Sequence, residues 1–591
     1  MDRQTALYIH KDLHEGAVPY QPFHSRRSVV YGTRGMVACS QPLAAEAGLE
    51  ILRKGGNCAD AAVAVSAALN LTEPGSCGIG GDGFCLFYEK ATGEVKALNG
   101  SGRAPAALTL EKLRELGSAN KREMDFLDIN AVTVPGCAAL WCDTIEQLGS
   151  GKVTVADCLE PAIRMAEAGV PISEVSSYGW VQNHDVFLQQ SPNGAEMLIT
   201  DDETGKTHAP RAGEIFKNPN LASVFREVAE KGKKGFYEGR IAEAIVELIQ
   251  SKGGVMTLDD LKNHTTTTVS PISVSYGGEN GVTLHETPPN GQGLTALIAL
   301  GIIEQMQKQG KVDLSQTEHL SAEWFHTLIS AMRLAFADTR AYVADPEHSR
   351  VPVEELLSPE YLAKRAELFD PAKSNPVIQK GTPHTSSDTV LFTCTDQYGN
   401  GVSYIQSNYA GFGTYAVPRG CGFTLQNRGC NFTLEQGHPN CIAPNKRPYH
   451  TIIPALVTRN GTAGNGVKDE LFMVYGVMGG WMQPQGHVQV LTNMLHHNAT
   501  AQATLDAPRF CISADVPDNK AEGDIGTKVY LEDGVREDVV EKLREMGHVV
   551  EVLKGHERAM FGRGQIIQKV PNGVWAGGSD PRGDGHAVPL I

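Results

Sequence analysis

Apolar and polar positions alternate most clearly between Thr389 and Ser407. Val390, Phe392 and Cys394 alternate with Leu391, Thr393 and Thr395, the period of two that a strand imposes. Tyr398-Gly399-Asn400 supplies turn chemistry, and a second β pattern runs from Gly401 to Ser407, so this stretch predicts a hairpin headed by Thr389. Upstream the spacing is mainly helical. Helices are predicted over 41–54, 59–69, 110–116, 155–168, 221–231, 239–251, 291–306 and 321–343, most of them stopped by a glycine. Strands are predicted over 84–88, 95–98, 270–276 and 281–285. Residues 344–388 contain Pro346, Pro352, Pro359, Pro371, Pro376 and Pro383 and read as an extended connector, and residues 1–34 read as an irregular arm. Beyond 408 the pattern becomes strand-rich, over 420–425, 452–457, 471–475, 529–531, 549–552, 564–569 and 574–577, with helices at 487–496 and 539–546.

Composition narrows the class. A chain of 591 residues with 41% apolar content can bury a sizeable core, and its length alone suggests several domains. A net charge of −16 argues against a nucleic-acid or anionic-membrane partner, either of which calls for a basic face. The first residues carry no apolar run of signal-peptide length, and no stretch approaches the roughly eighteen apolar residues of a membrane helix. The expected location is therefore cytoplasmic, with no membrane partner. The twelve cysteines are scattered, which suits free core thiols in a reducing compartment. Cys421, Cys430, His438 and Cys441 lie close in sequence, but they contain no C-x₂-C pair and match no zinc template. Residues 78–84, G-I-G-G-D-G-F, lack the lysine of a phosphate loop and read as a tight turn. Neither a metal nor a cofactor is expected.

A threonine at a strand head is ordinarily just a β-branched strand residue. Its hydroxyl becomes a nucleophile only when a base is beside it, and cutting the chain before it supplies one, the freed α-amine. The wider chain makes the second reading specific. G-M-V-A-C-S-Q-P-L-A-A-E-A-G (35–48), I-L-R-K-G-G-N-C-A-D-A-A-V-A (51–64), E-P-G-S-C-G-I-G-G-D-G-F (73–84), P-N-K-R-P (444–448), M-G-G (478–480), A-P-R-F (507–510) and G-G-S-D-P-R (577–582) occur in order. Together they resemble the γ-glutamyltranspeptidase family of N-terminal-nucleophile hydrolases over roughly 28–586. The tail motifs W-M-Q-P-Q-G-H (481–487) and G-G-S-D-P-R-G-D-G (577–585) look like the branch that includes oxamate amidohydrolase. The resemblance implies an α+β class, four-layer αββα fold. It implies a precursor cleaved before Thr389 into a large subunit, 1–388, and a small subunit, 389–591, which pair as a heterodimer.

The resemblance also assigns roles residue by residue. Ser407 matches the hydroxyl residue that hydrogen-bonds the nucleophile. Gly479 and Gly480 match the glycine pair whose N–H groups receive the developing oxyanion, a task that needs preplaced donors. For substrate binding, Arg103 lies two places from the family's carboxylate-gripping arginine, where Ser101 falls; a salt-bridged surface arginine is the alternative. Tyr409 replaces the usual asparagine, Asn431 the acidic residue that holds the substrate amine, and Arg428 its upstream neighbour. His450 and Thr451 replace the serine pair after K-R-P. The implied activity is cleavage of the γ-glutamyl amide of glutathione or its conjugates, by hydrolysis or transfer. The changed pocket leaves open another small acidic amide such as oxamate, and a non-processed scaffold stands outside the enzyme readings.

Overall fold

The structure is a computed structural model that describes residues 27–118, 121–201, 203–278, 281–375, 388–460, 470–512, 528–570 and 573–591. Two antiparallel seven-stranded sheets form its centre. In one, neighbouring strands run in the order His586–Pro589, Met36–Cys39, Asp388–Thr395, Gly401–Tyr409, Asp82–Glu89, Glu94–Gly100 and Thr267–Val269. In the other the order is Val30–Gly32, Val574–Ser579, Gly564–Val570, Glu470–Val477, Ala455–Arg459, Val282–Glu286 and Ile272–Tyr276.

The strand alternation determines what each face meets. Val390, Phe392 and Cys394 point into a core shared with the helices Pro42–Arg53, Cys58–Thr72 and Cys137–Leu148. Their neighbour Leu391 turns the other way, between the sheets, where it packs with Phe84, Ile405, Ile452 and Met478. Met36, Ala38, Leu86 and Tyr88 of the first sheet meet Leu456, Leu471, Val474, Ile567 and Trp575 of the second in the same inter-sheet layer. The outer face of the second sheet packs Leu284, Val457, Met473 and Tyr475 under the helices Gly293–Lys308, Ala322–Tyr342 and Met482–His497. Helix, sheet, sheet and helix therefore stack as the expected αββα sandwich. Cys58–Thr72 is buried along its whole length, which explains its small-residue sequence, and Asn57 starts it with a capping box to Asp60.

Several elements differ from expectation. Residues 420–425 form no strand, because Gly420 and Gly422 take left-handed φ values of 67° and 62°. Their N–H groups go to the Glu196 carboxylate at 2.8 and 3.0 Å instead of to a sheet neighbour. The proline-rich stretch is not extended throughout. It contains the helices Val353–Leu356 and Pro359–Glu367, the latter with Pro359 in its first turn, where the missing N–H costs no bond. Its end, 376–387, lies outside the described residues, as does most of the expected arm, although Val30–Gly32 of that arm is a strand. The helix expected over 110–116 is only Leu110–Leu113, and the turn after it holds Gly117 at φ 110°. Among the described residues no helix is long and apolar enough to cross a membrane.

Candidate active site

The hairpin brings two hydroxyls together. Thr389 is fully buried, and its Oγ1 donates to Ser407 Oγ at 3.1 Å. Ser407 Oγ also accepts the Tyr409 N–H at 2.8 Å. Strand pairing shifts register between Asp388 and Val390, so Thr389 stands at a bulge, a local device that re-aims a side chain. On the third strand, Asp82 is the cross-strand partner of Ser407.

The glycine pair approaches from the second sheet. Strand Glu470–Val477 ends just before it, and Gly479 and Gly480 take φ values of 121° and 57°, which suit glycine. Met478 packs against Leu391, two residues along from Thr389, which anchors the turn to the hairpin. Gln292 Nε2 donates to the Gly480 carbonyl at 2.8 Å and to the Thr451 carbonyl at 2.5 Å, tying the glycine turn to the 450–451 segment.

Around these lies a cationic pocket. Arg428 is 0% exposed, with Cζ 4.5 Å from the centroid of the Tyr409 ring. Its Nη1 donates to Thr451 Oγ1 at 2.8 Å, whereas Nε and Nη2 are buried with no hydrogen-bond partner among the described residues. Burial lowers the Arg428 pKa to about 10, against the pull of the nearby Asp82 carboxylate, so the guanidinium stays charged at neutral pH. Asp82 accepts from Gln426 Nε2 at 2.8 Å, from the Gly102 N–H at 3.1 Å and from His450 Nε2 at 3.0 Å. Burial raises Asp82 to about 6, opposed first by the Arg428 charge. Burial, with Arg428 and Arg447 adding repulsion, holds His450 well below the usual imidazole range, so its ring is neutral. The Ile452 N–H reaches His450 Nδ1 at 3.4 Å, which leaves the Nε2 proton for Asp82. Asn431 Nδ2 is likewise buried and, among the described residues, unpartnered.

Thr389, Ser407, Tyr409, Arg428, Thr451, His450 and Gly480 are thus linked through successive contacts. Arg103 is not in that chain. Its Nη2 sits 3.1 Å from both carboxylate oxygens of Glu347, and it lines a separate cavity of about 310 Å³ with Asp259, Asp260, His264 and Asn445. Ser101 Oγ accepts from Asn290 Nδ2 at 3.1 Å. Cys421 belongs to the helix-layer core, whereas Cys430 and Cys441 pack in the cluster that holds Tyr409. The sequence reading missed Asp82 and Gln292. For Asp82 a signal was available, an acid between glycines at the start of a buried strand.

Comparison with known proteins relates the chain to one family. The family described as Gamma-glutamyltranspeptidase matches residues 44–590. The chain is 36% identical over 563 residues to the glutathione hydrolase-like YwrD proenzyme of Bacillus subtilis, covering 95% of this chain and 99% of that one. It is 33% identical to the oxamate amidohydrolase proenzyme of Klebsiella pneumoniae, covering 94% and 98%. Among solved structures, a cephalosporin acylase from Bacillus halodurans superposes with a TM-score of 0.83 at 38% identity, covering 98% and 99%. In sequence and in fold, the chain belongs to the γ-glutamyltranspeptidase family of N-terminal-nucleophile hydrolases.

Proposed function

We propose that the protein is made as a proenzyme, cuts itself before Thr389, and then uses Thr389 to cleave amides whose acyl part carries a carboxylate. In the precursor the Thr389 hydroxyl attacks the Asp388 carbonyl and the acyl group moves from nitrogen to oxygen. Water then hydrolyses the ester, leaving chains 1–388 and 389–591, which stay paired as two subunits. The new α-amine titrates near pH 7.7–8, roughly, and takes the hydroxyl proton during attack on substrate. Ser407 aligns that hydroxyl, and the Gly479 and Gly480 N–H groups receive the oxyanion. The amine departs with the proton, and water or a second amine resolves the threonyl ester.

The observation that carries the substrate class is the unpartnered Nε and Nη2 edge of buried Arg428, beside the Tyr409 whose N–H holds Ser407. A carboxylate fills such an edge with two parallel hydrogen bonds. Glutathione and its conjugates are the first substrates of this kind. Oxamate-like acidic amides form a second reading, supported by Asn431 in place of an acidic partner for a substrate ammonium. Amino-terminal sequencing of the smaller fragment should give T-V-L-F-T, and Thr389→Ala should remain one full-length band. A different first residue, or processing and turnover by that variant, refutes the nucleophile assignment. Release of the anilide from γ-glutamyl and glutaryl anilides, set against ammonia release from oxamate, separates the substrate readings.

A further inference from the structure

A second guanidinium, that of Arg340, acts on Tyr409 together with Arg428. Arg340 projects from the helix Ala322–Tyr342 and is half-buried. Its Cζ lies 4.9 Å from the Trp481 ring centroid, and Phe336, four residues earlier on the same helix face, touches the same indole. Among the described residues its guanidinium has no hydrogen bond or ion pair; the carboxylate that acts on it from a distance is Glu123. Trp481 directly follows Gly480, and it stacks on Tyr449 at 5.0 Å, whose hydroxyl donates to Gln292 Oε1 at 3.3 Å. Arg340 therefore stands against the glycine turn, at the carbonyl end of the site. Arg428 stands beside Tyr409 on the hairpin side, and both cations act on the Tyr409 hydroxyl.

Among the described residues, the polar atoms left unpartnered within 428–431 and 481–483 are donors, Arg428 Nε and Nη2, Asn431 Nδ2, Trp481 Nε1 and Gln483 Nε2, whereas the nearby Asn408 Oδ1 and Gln426 Oε1 are unpartnered acceptors. Buried donors without acceptors are costly unless a ligand supplies the acceptors. Arg428 alone offers a full two-pronged edge for one carboxylate. That leaves the Arg340 charge and the donors of 481–483 for another anionic group.

We propose that Arg340, seated on Trp481, is a binding residue for an anionic group on the amine side of the scissile amide, so that the enzyme takes amides carrying two anions, one on each side of the bond. The proposal rests on the amidase reading above and adds the specificity of the leaving amine, and equally of an amine acceptor. An amino acid with a free carboxylate is the simplest such amine.

The test uses two glutaryl anilides that differ by one carboxylate, a 4-nitroanilide and a 3-carboxy-4-nitroanilide, with the processed wild-type protein, Arg340→Met and Arg340→Lys. The wild type should favour the carboxy-anilide in kcat/KM by about tenfold or more, the scale of a charge-assisted hydrogen bond. Arg340→Met should lose that preference through KM and cleave the plain anilide as the wild type does. Arg340→Lys, which keeps the charge, should retain part of it. Equal KM increases for both anilides would place Arg340 on the acyl carboxylate and overturn the proposal, as would an unchanged ratio. The ratio reads Arg340, whereas the absolute rate reads Thr389 and Arg428, so the two failures are distinguishable. If neither anilide is cleaved, calorimetric binding of the same pair to the wild type decides, and equal affinities overturn the proposal.

Discussion

Replacing Arg428 by methionine separates a functional arginine from a structural one. The folded protein holds this guanidinium at 0% exposure, and burial lowers its pKa well below the usual guanidinium range, to about 10. A shift of that size corresponds to a destabilisation of roughly 3 kcal/mol at about 1.4 kcal/mol per unit. The folded value lies below the unfolded one, so the whole cost is present at neutral pH and fades only as pH rises past about 10. Against it stand the bond to Thr451 Oγ1, about 1.5–3 kcal/mol for a charged donor, and the contact over Tyr409, about 0.5–2 kcal/mol. These terms nearly cancel, so Arg428→Met should unfold within about 2 kcal/mol of the wild type, a few degrees in Tm at most for a chain of this size. Binding should behave differently. Loss of two charge-assisted bonds to a substrate carboxylate removes roughly 3 kcal/mol or more, a KM increase on the order of a hundredfold for acidic amides. Calorimetric melting and steady-state kinetics on a glutaryl anilide check both halves. A variant that melts far lower but binds normally would make Arg428 a structural residue and refute the substrate reading.

Other perturbations test the rest of the site. Ser407→Ala removes the acceptor shared by the Thr389 hydroxyl and the Tyr409 N–H, so processing and turnover should each slow about 10- to 100-fold, followed as band conversion on gels and as initial rate; unaltered processing would remove Ser407 from the mechanism. Gly479→Ala puts a Cβ about 3.1 Å from Gly562 Cα at a φ of 121°, which should displace the oxyanion donors and lower kcat about 10²- to 10³-fold with KM nearly constant. Asp82, raised to about 6, gains a proton as pH falls from 7 to 5 while Arg428 stays charged and His450 stays neutral, so the anion competing for Arg428 disappears. KM for an acidic amide should therefore fall through that window while kcat falls with protonation of the Thr389 amine, and Asp82→Asn should give a KM independent of pH there; a KM that rises on acidification contradicts the coupling.

How much of this the sequence carried depended on whether the governing contact was local. The 389–407 hairpin was legible because each strand alternates over several residues and the turn chemistry lies between them. The strand Met36–Cys39 was not: it has four residues, all buried, so it shows no alternation, and its partner His586–Pro589 lies at the other end of the chain. Gly479 and Gly480 were found as a motif, but the Gln292 bridge that holds their turn to Thr451 comes from a distant helix start and leaves no local trace. Residue type misleads in the same way. Arg103 has the chemistry to grip a substrate carboxylate, yet its Nη2 is held by both oxygens of Glu347, whereas Arg428 is left with an open edge. What buries Arg428 is its neighbour. A Cβ at Gly429 would stand 2.7 Å from the Ala131 carbonyl oxygen, so only glycine there lets the Arg428–Asn431 turn close against 129–131 and seal the guanidinium from water. Its charge could be read from the sequence, but its unpartnered edge arises from that close approach between segments about 300 residues apart, which no local pattern encodes.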